Sequence, residues 1–269
     1  MSDSQPVTIV TGGTFGLGQS ITVDLARKGH FVVSFGLMQS QVSSTAQGFE
    51  ALHRELAAAG VQGRVLVLEA DVTKPGDVDL VVQKTLGQFG RIDCLVNNAA
   101  IGPLGTVLDT HPELFLRILE VNVQGAYLTS RAVLPHMIGN GGGAIVNVGS
   151  GAAYGKPNMA AYAASKGGLL ALTMAMAYDH FHDHVRVNMV IPGGGGIVTG
   201  MSVGRFDGDV NKFVNRPITG TVAGRPMSGA DFASAIGFLL SDDAATLSGT
   251  VLDVGCFAHQ GGPVPKTNH

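Results

Sequence analysis

Short, uniformly apolar runs alternate along the chain with longer stretches whose apolar residues recur at helical spacing. The short runs predict strands over Val7–Gly12, Phe31–Phe35, Arg64–Ala70, Cys94–Ala99, Ala144–Ser150, Val185–Ile191 and Thr250–Val254. Between them, Leu17–Lys28, Ser43–Ala59, Pro75–Phe89, Glu113–Met137, Ala160–Phe181 and Ala230–Leu240 read as helices. The strand runs are apolar throughout instead of alternating, which is what a sheet covered on both faces requires. Regular alternation of strand and helix points to an α/β fold, a doubly wound parallel sheet of about seven strands with helices on both faces. No proline-rich linker, composition shift or internal repeat divides the chain, so one domain spanning residues 1–269 is expected. The stretch from Gly193 to about Gly229 carries no clear pattern; a segment that long is expected to be a substrate lid. The tail 259–269 is rich in Gly and Pro and is expected to be flexible.

Composition narrows the function classes. Hydrophobic residues make up 45% of the chain and charged residues 14%, so much of the surface must be hidden in a core or against sister subunits. The net charge of −3, with scattered basic residues, gives nucleic acid or an anionic membrane no electrostatic purchase. The start MSDSQPVTIV passes from a polar tail directly into a strand, and no apolar run is long enough to span a bilayer. A cytoplasmic protein is the expectation. Cys94 and Cys256 lie in apolar contexts without metal-ligand spacing and read as buried reduced thiols.

The candidate chemistry begins where the first strand ends, in TGGTFGLG (Thr11–Gly18), followed at once by a helical pattern. Gly12, Gly16 and Gly18 at a strand-to-helix turn let backbone N–H groups and the helix N-terminus take a pyrophosphate. Further landmarks follow in order: Asp71-Val72 after the third strand, NNAA (Asn97–Ala100), VNVQGAY (Val121–Tyr127), VNVGS (Val146–Ser150), YAASK (Tyr162–Lys166) and VNMVIPG before Gly194. In this order they resemble the short-chain dehydrogenase/reductase family over essentially the whole chain, with Ala100 standing where the family has Gly. The resemblance implies a Rossmann-type fold and a dinucleotide lying along Gly12, Thr14, Phe15, Gly16, Leu17 and Gly18. It extends that site to Gly36, Asp71, Val72, Asn98, Ala99, Tyr162, Lys166, Pro192, Gly193 and Thr199.

The implied reaction moves a hydride between a carbinol carbon and nicotinamide, so a proton must leave or join the oxygen. A free Tyr, with a pKa of about 10, is a poor base at neutral pH, and a nearby ammonium lowers it. Tyr162 and Lys166 are four apart in a helical stretch and share a face. Tyr162 is the expected general acid/base and Lys166 its electrostatic activator; by resemblance Lys166 also bonds the nicotinamide ribose. Ser150 is the expected polariser of the substrate oxygen, although one step fewer separates it from Tyr162 than in the family. By resemblance Asn122 holds a water in a proton relay from Lys166. The function implied is oxidoreduction between a secondary alcohol and a ketone; the alternative is a catalytically silent nucleotide-binding regulator or scaffold of the same fold.

Cofactor choice is read at the end of the second strand, where an acid selects NAD and an Arg selects NADP. Gly36 and Leu37 offer neither. The absence of an acid leaves room for a 2′-phosphate, with Gln39, Ser40 and Ser43 as donors, so the cofactor is NAD(P) with a lean to NADP. The run DHFHDH (Asp179–His184) falls where a helix ends; its histidines are expected to be solvated, and no metal is expected. The small-residue stretch Ala161–Ala177 suits close helix packing, and a homo-oligomer, dimer or tetramer, is expected. In PGGGGIVTG (Pro192–Gly200) the four glycines read as an insertion at the nicotinamide-side loop, poorly ordered without cofactor. Arg205, Asp207, Asp209, Lys212, Arg216 and Arg225 are the charges of the expected lid.

Overall fold

The computed structural model describes residues 5–38, 48–193, 200–204, 208–215 and 221–255. Thr199, Gly194–Gly196, Gln39, Ser40, Ser43, Cys256, Arg205, Asp207, Arg216 and the tail 259–269 therefore lie outside the described residues. Seven strands, β1 Val7–Thr11, β2 Phe31–Gly36, β3 Val65–Glu69, β4 Cys94–Asn97, β5 Gly143–Val148, β6 Val185–Ile191 and β7 Val251–Asp253, form one sheet. Its order is β3-β2-β1-β4-β5-β6-β7, and every pair is parallel. The chain winds outward from β1 to β3 and then returns to place β4 on the other side of β1. This reversal opens a crevice at the carboxyl ends of β1 and β4, where ligands bind in such sheets.

The helices are α1 Gly16–Arg27, α2 Gly48–Ala58, α3 Pro75–Phe89, α4 Pro112–Leu119, α5 Gly125–Gly139, α6 Ala160–Asp179, α7 Gly200–Gly204, α8 Val210–Val214 and α9 Gly229–Leu240. Successive strand residues feed opposite cores. Val10, Val32 and Val146 pack with Ile21, Leu25, Phe232 and Ile236 of α1 and α9. Ile9, Val33 and Ile145 pack with Val81, Val133, Met137 and Met176 of α3, α5 and α6. Burying each such side chain contributes about 1.5–3 kcal/mol, so the uniformly apolar strands are the main source of cohesion. Helix ends follow local rules: Pro75 opens α3 and Gly90, at φ 74°, closes it in the left-handed region. Ser228 and Asp231 form a capping box that starts α9.

Two departures from the sequence pattern matter. The run Glu113–Met137 is not one regular helix, because a π-helical turn over Glu120–Gln124 joins α4 to α5. The segment from Gly193 to Gly229 is not without elements: α7 and α8 lie within it. Their five residues each are too few to show a periodic pattern.

A polar network is buried beneath the carboxyl edge. Asn97 of β4 pairs in register with Asn147 of β5 and donates to its side-chain oxygen at 2.8 Å. Asn97 also donates to Ser130 and accepts from Thr129, both on α5, while Asn147 donates to Thr173 of α6. The network locks two strands and two helices into one arrangement.

Candidate active site

The turn after β1 is shaped by contacts no side chain would permit. Gly12 and Gly16 have φ of 59° and 50°, where a Cβ is strained. A Cβ on Gly18 would stand 2.0 Å from the carbonyl oxygen of Gly12, and one on Gly12 would stand 2.9 Å from Cα of Ala99. Asn98 holds the turn from β4: its Nδ2 donates to the carbonyls of Thr11 and Gly12 at 3.1 and 2.9 Å. The Thr11 hydroxyl accepts from the N–H groups of Asn98 and Ala99. Phe15, the residue before α1, supplies no capping side chain, and the first turn of α1 holds no acid. Its N–H groups are thus left for an anion. The Thr14 hydroxyl is buried and has no hydrogen-bond partner among the described residues. A glycine cradle, a bare helix N-terminus and an orphaned hydroxyl fit a dinucleotide pyrophosphate.

At the far end of this crevice, Gly36 lies against Thr14 and the Phe15 ring lies against Gly48 at the start of α2. Asp71 accepts from both the N–H and the hydroxyl of Thr73, and Arg117 stands 3.8 Å from its other oxygen. Burial works against its charge, but those hydrogen bonds and the nearby Arg117 and Lys74 outweigh it and hold the carboxyl below its ordinary value. Val72 is buried against Gly125, where α5 begins.

The second half of the site is built on α6. Tyr162 and Lys166 are one turn apart and both buried, and Lys166 Nζ lies 5.8 Å from the Tyr162 ring centroid. Lys166 is 2% exposed, and its ammonium donates to the carbonyl of Val148, the last residue of β5, at 2.8 Å. Burial lowers its pKa from 10.5 to about 8. Ser150, two residues beyond that carbonyl, caps the 3-10 turn Gly151–Tyr154, its hydroxyl accepting from the N–H of Ala152 at 3.1 Å. Asn122 sits inside the π-helical turn, 1% exposed. Its amide exchanges two 2.8 Å bonds with the backbone of Ile101 and donates to Ser165 at 2.9 Å.

Two residues of this neighbourhood escape a motif-by-motif reading. Ser165 bridges Asn122 to the carbonyl of Tyr162, at 2.9 and 2.7 Å, and its signal was its place inside YAASK. Gly102 lies against the Tyr162 ring and against Met201 of α7, since a Cβ there would stand 2.9 Å from the first and 2.8 Å from the second. Pro192 and Gly193 follow β6 at the same edge, half-buried. Other candidates stand apart from the site. His180 bonds Asp183 at 2.8 Å beyond the end of α6, and among the described residues no three His, Cys, Asp or Glu side chains could share a metal ion. Arg225 is held by Asp231. Cys94 is buried, and burial pushes its thiol up to about 12.

A glycine cradle at the crevice of a doubly wound parallel sheet, together with a Tyr–Lys pair on a helix tied to the end of β5, is the arrangement of a dinucleotide-binding oxidoreductase. The sequence model of the short chain dehydrogenase family matches residues 6–208, and the chain belongs to that family. It is 36% identical over 251 residues to the 2-(R)-hydroxypropyl-CoM dehydrogenase of Xanthobacter autotrophicus, covering 91% of this chain and 95% of that one. The crystal structure of levodione reductase superposes with a TM-score of 0.84 at 29% identity, covering 96% of this chain and 98% of the other. The 3-ketoacyl-(acyl-carrier-protein) reductase from Brucella melitensis, complexed with NADH, gives a TM-score of 0.76 at 31% identity, covering 96% of this chain and 100% of that one. The chain is an oxidoreductase acting on CH–OH groups. Among the described residues no helix is long and apolar enough to cross a membrane.

Proposed function

We propose that the protein interconverts a secondary alcohol and a ketone with a nicotinamide dinucleotide as redox partner. The observation that carries this reading is the pairing of Tyr162 with Lys166 at the carboxyl edge of the sheet that bears the glycine cradle. When bound, the nicotinamide ring accepts or supplies the hydride. The turn Gly12–Gly18 would hold the pyrophosphate, with Thr14 and the N-terminus of α1 as donors. Gly36, Asp71 and Val72 would hold the adenosine end; Ala99, Pro192, Gly193 and Thr199 would line the nicotinamide side.

Tyr162 Oη takes the proton from the substrate hydroxyl in oxidation and returns it to the carbonyl oxygen in reduction. Lys166 makes the phenolate accessible near neutral pH: one positive charge, little screened by solvent, favours the ionised phenol. Its bond to the Val148 carbonyl fixes that charge beside the ring. The Ser150 hydroxyl polarises the substrate oxygen. Asn122 acts on this proton path from a rigid position. Both N–H groups of its amide are already committed, so a water it holds must be bound by an oxygen of the residue.

The segment 193–229 acts as the lid, with Met201 beside Tyr162 as its inner wall. A single catalytic domain of this kind in the cytoplasm is the organisation we infer. The α4–α5 surface exposes Phe115, Leu116 and Tyr127, and the segment before α4 exposes Val107 and Leu108, the latter 95% exposed. Apolar area of this kind favours a homo-oligomer, in our reading a tetramer. The test of the reaction is absorbance at 340 nm with a panel of secondary alcohols and ketones and both cofactors. Turnover of at least one pair supports it, and silence across the panel with tight cofactor binding counts against it.

A further inference from the structure

The end of β2 carries no acid, yet the structure brings one to it from the neighbouring strand. Gly36, the last residue of β2, pairs in register with Glu69, the last residue of β3. The backbone closes the pair, with the N–H of Ala70 donating to the carbonyl of Gly36 at 3.2 Å. A Cβ on Gly36 would stand 2.9 Å from the Thr14 hydroxyl, so at this position β2 turns toward the glycine cradle. Residues paired across a parallel sheet project on the same face, and Glu69 therefore projects to the cradle side as well. Its carboxylate crosses the end of β2, where its Oε1 accepts from the N–H of Met38 at 3.4 Å. The side chain is exposed at the mouth of the crevice.

Among the described residues no basic side chain forms an ion pair with this carboxylate. The chain from Gly36 through Gly48 contains no charged residue. Phe15, in the turn between cradle and helix, contributes an aromatic ring that lies on Gly48. Arg117 is committed to Glu120 at 2.7 Å and stands 3.8 Å from Asp71. Among the described residues no hydrogen bond or ion pair brings a basic side chain to the end of β2.

We propose that Glu69 replaces the missing acid of β2 and makes the chain selective for NAD over NADP, reversing the lean read from Gly36 alone. The inference rests on the dinucleotide reading of the cradle. A carboxylate at this place accepts hydrogen bonds from the free 2′- and 3′-hydroxyls of an adenosine ribose. A 2′-phosphate would bring about two negative charges against it. Gly36 serves the same end, because the absence of a side chain lets the β3 carboxylate reach across the strand. Discrimination by repulsion, not only by added contacts, is a general route to selectivity.

The test is a binding titration of wild type, Glu69→Gln and Glu69→Lys with NADH and with NADPH. The chain contains no Trp, so the fluorescence of the reduced nicotinamide itself is followed. Wild type is expected to bind NADH at least about tenfold more tightly than NADPH, Glu69→Gln to narrow that ratio to within about threefold, and Glu69→Lys to invert it. Each ratio is measured on one preparation, which removes differences in folded fraction. A wild type that binds NADPH as tightly as NADH, or a ratio unchanged in Glu69→Gln, overturns the role of Glu69 while leaving the dinucleotide site standing. Binding of neither cofactor removes the dinucleotide reading, and the role of Glu69 falls with it.

Discussion

The ammonium of Lys166 donates to the carbonyl of Val148, 2.8 Å away, at the point where β5 gives way to the turn that carries Ser150. One hydrogen bond thus ties the helix bearing Tyr162 to the strand end bearing Ser150. It also holds a buried charge 5.8 Å from the Tyr162 ring centroid. Removing that charge as Lys166→Met is expected to lower kcat by about 10²–10⁴ and, because oxidation needs the phenolate, to move the acidic limb of activity upward, toward the ordinary phenol value of about 10. A pH–rate profile of the oxidation reaction checks this.

The same residue gives stability a pH dependence of known sign. Lys166 has a folded-state pKa of about 8, below its ordinary 10.5, because burial disfavours its charge. Between those values the unfolded chain binds a proton that the folded chain does not, so stability rises with pH in that window. Wild type should gain on Lys166→Met as pH is raised from about 8 to 10.5. Urea midpoints across that range measure it, and parallel curves for the two proteins would contradict it.

His30 acts at the other end of the pH scale. It is buried, its ring nitrogen bonds the hydroxyl of Thr8 at 2.7 Å, and burial lowers its pKa from 6.5 to about 4. As pH falls from about 6.5 to 4 the unfolded chain takes up the proton first, and on the order of 3 kcal/mol of stability is lost. His30→Gln should flatten that decline, measured as Tm against pH.

Gly18→Ala should weaken reduced-cofactor binding by at least about tenfold, because its Cβ would stand 2.0 Å from the carbonyl oxygen of Gly12 and the turn must open. Cofactor titration, paired with a melting curve, separates this from general unfolding.

Asn147→Ala should cost about 1–3 kcal/mol by leaving Asn97 and Thr173 without their partner in the buried network. Thermal or urea unfolding measures the loss.

Strands were legible because most are runs of apolar residues bounded by glycine, proline or a polar group; Val185–Ile191 has the bounds its pattern predicts. Helices were legible to within a residue or two where their apolar stripe is long, as in Pro75–Phe89. The π-helical turn at Asn122 was not, since one extra residue in a turn leaves the hydrophobic pattern almost unchanged. Gly102 was overlooked because its partners, Tyr162 and Met201, are distant in sequence. The carboxylate at the end of β2 belongs to Glu69, and only the register of β2 with β3 brings it there. The motifs thus mark candidate chemistry along the chain, whereas the selectivity we propose for Glu69 depends on strand pairing that they do not encode.

The central claim, that Tyr162 carries the proton, is tested most directly by Tyr162→Phe in the 340 nm assay on a substrate that wild type turns over. The substitution removes one hydroxyl and keeps the ring that packs against Gly102. The account predicts loss of turnover by at least about 10²–10⁴ with cofactor affinity retained. Turnover equal to wild type would contradict it.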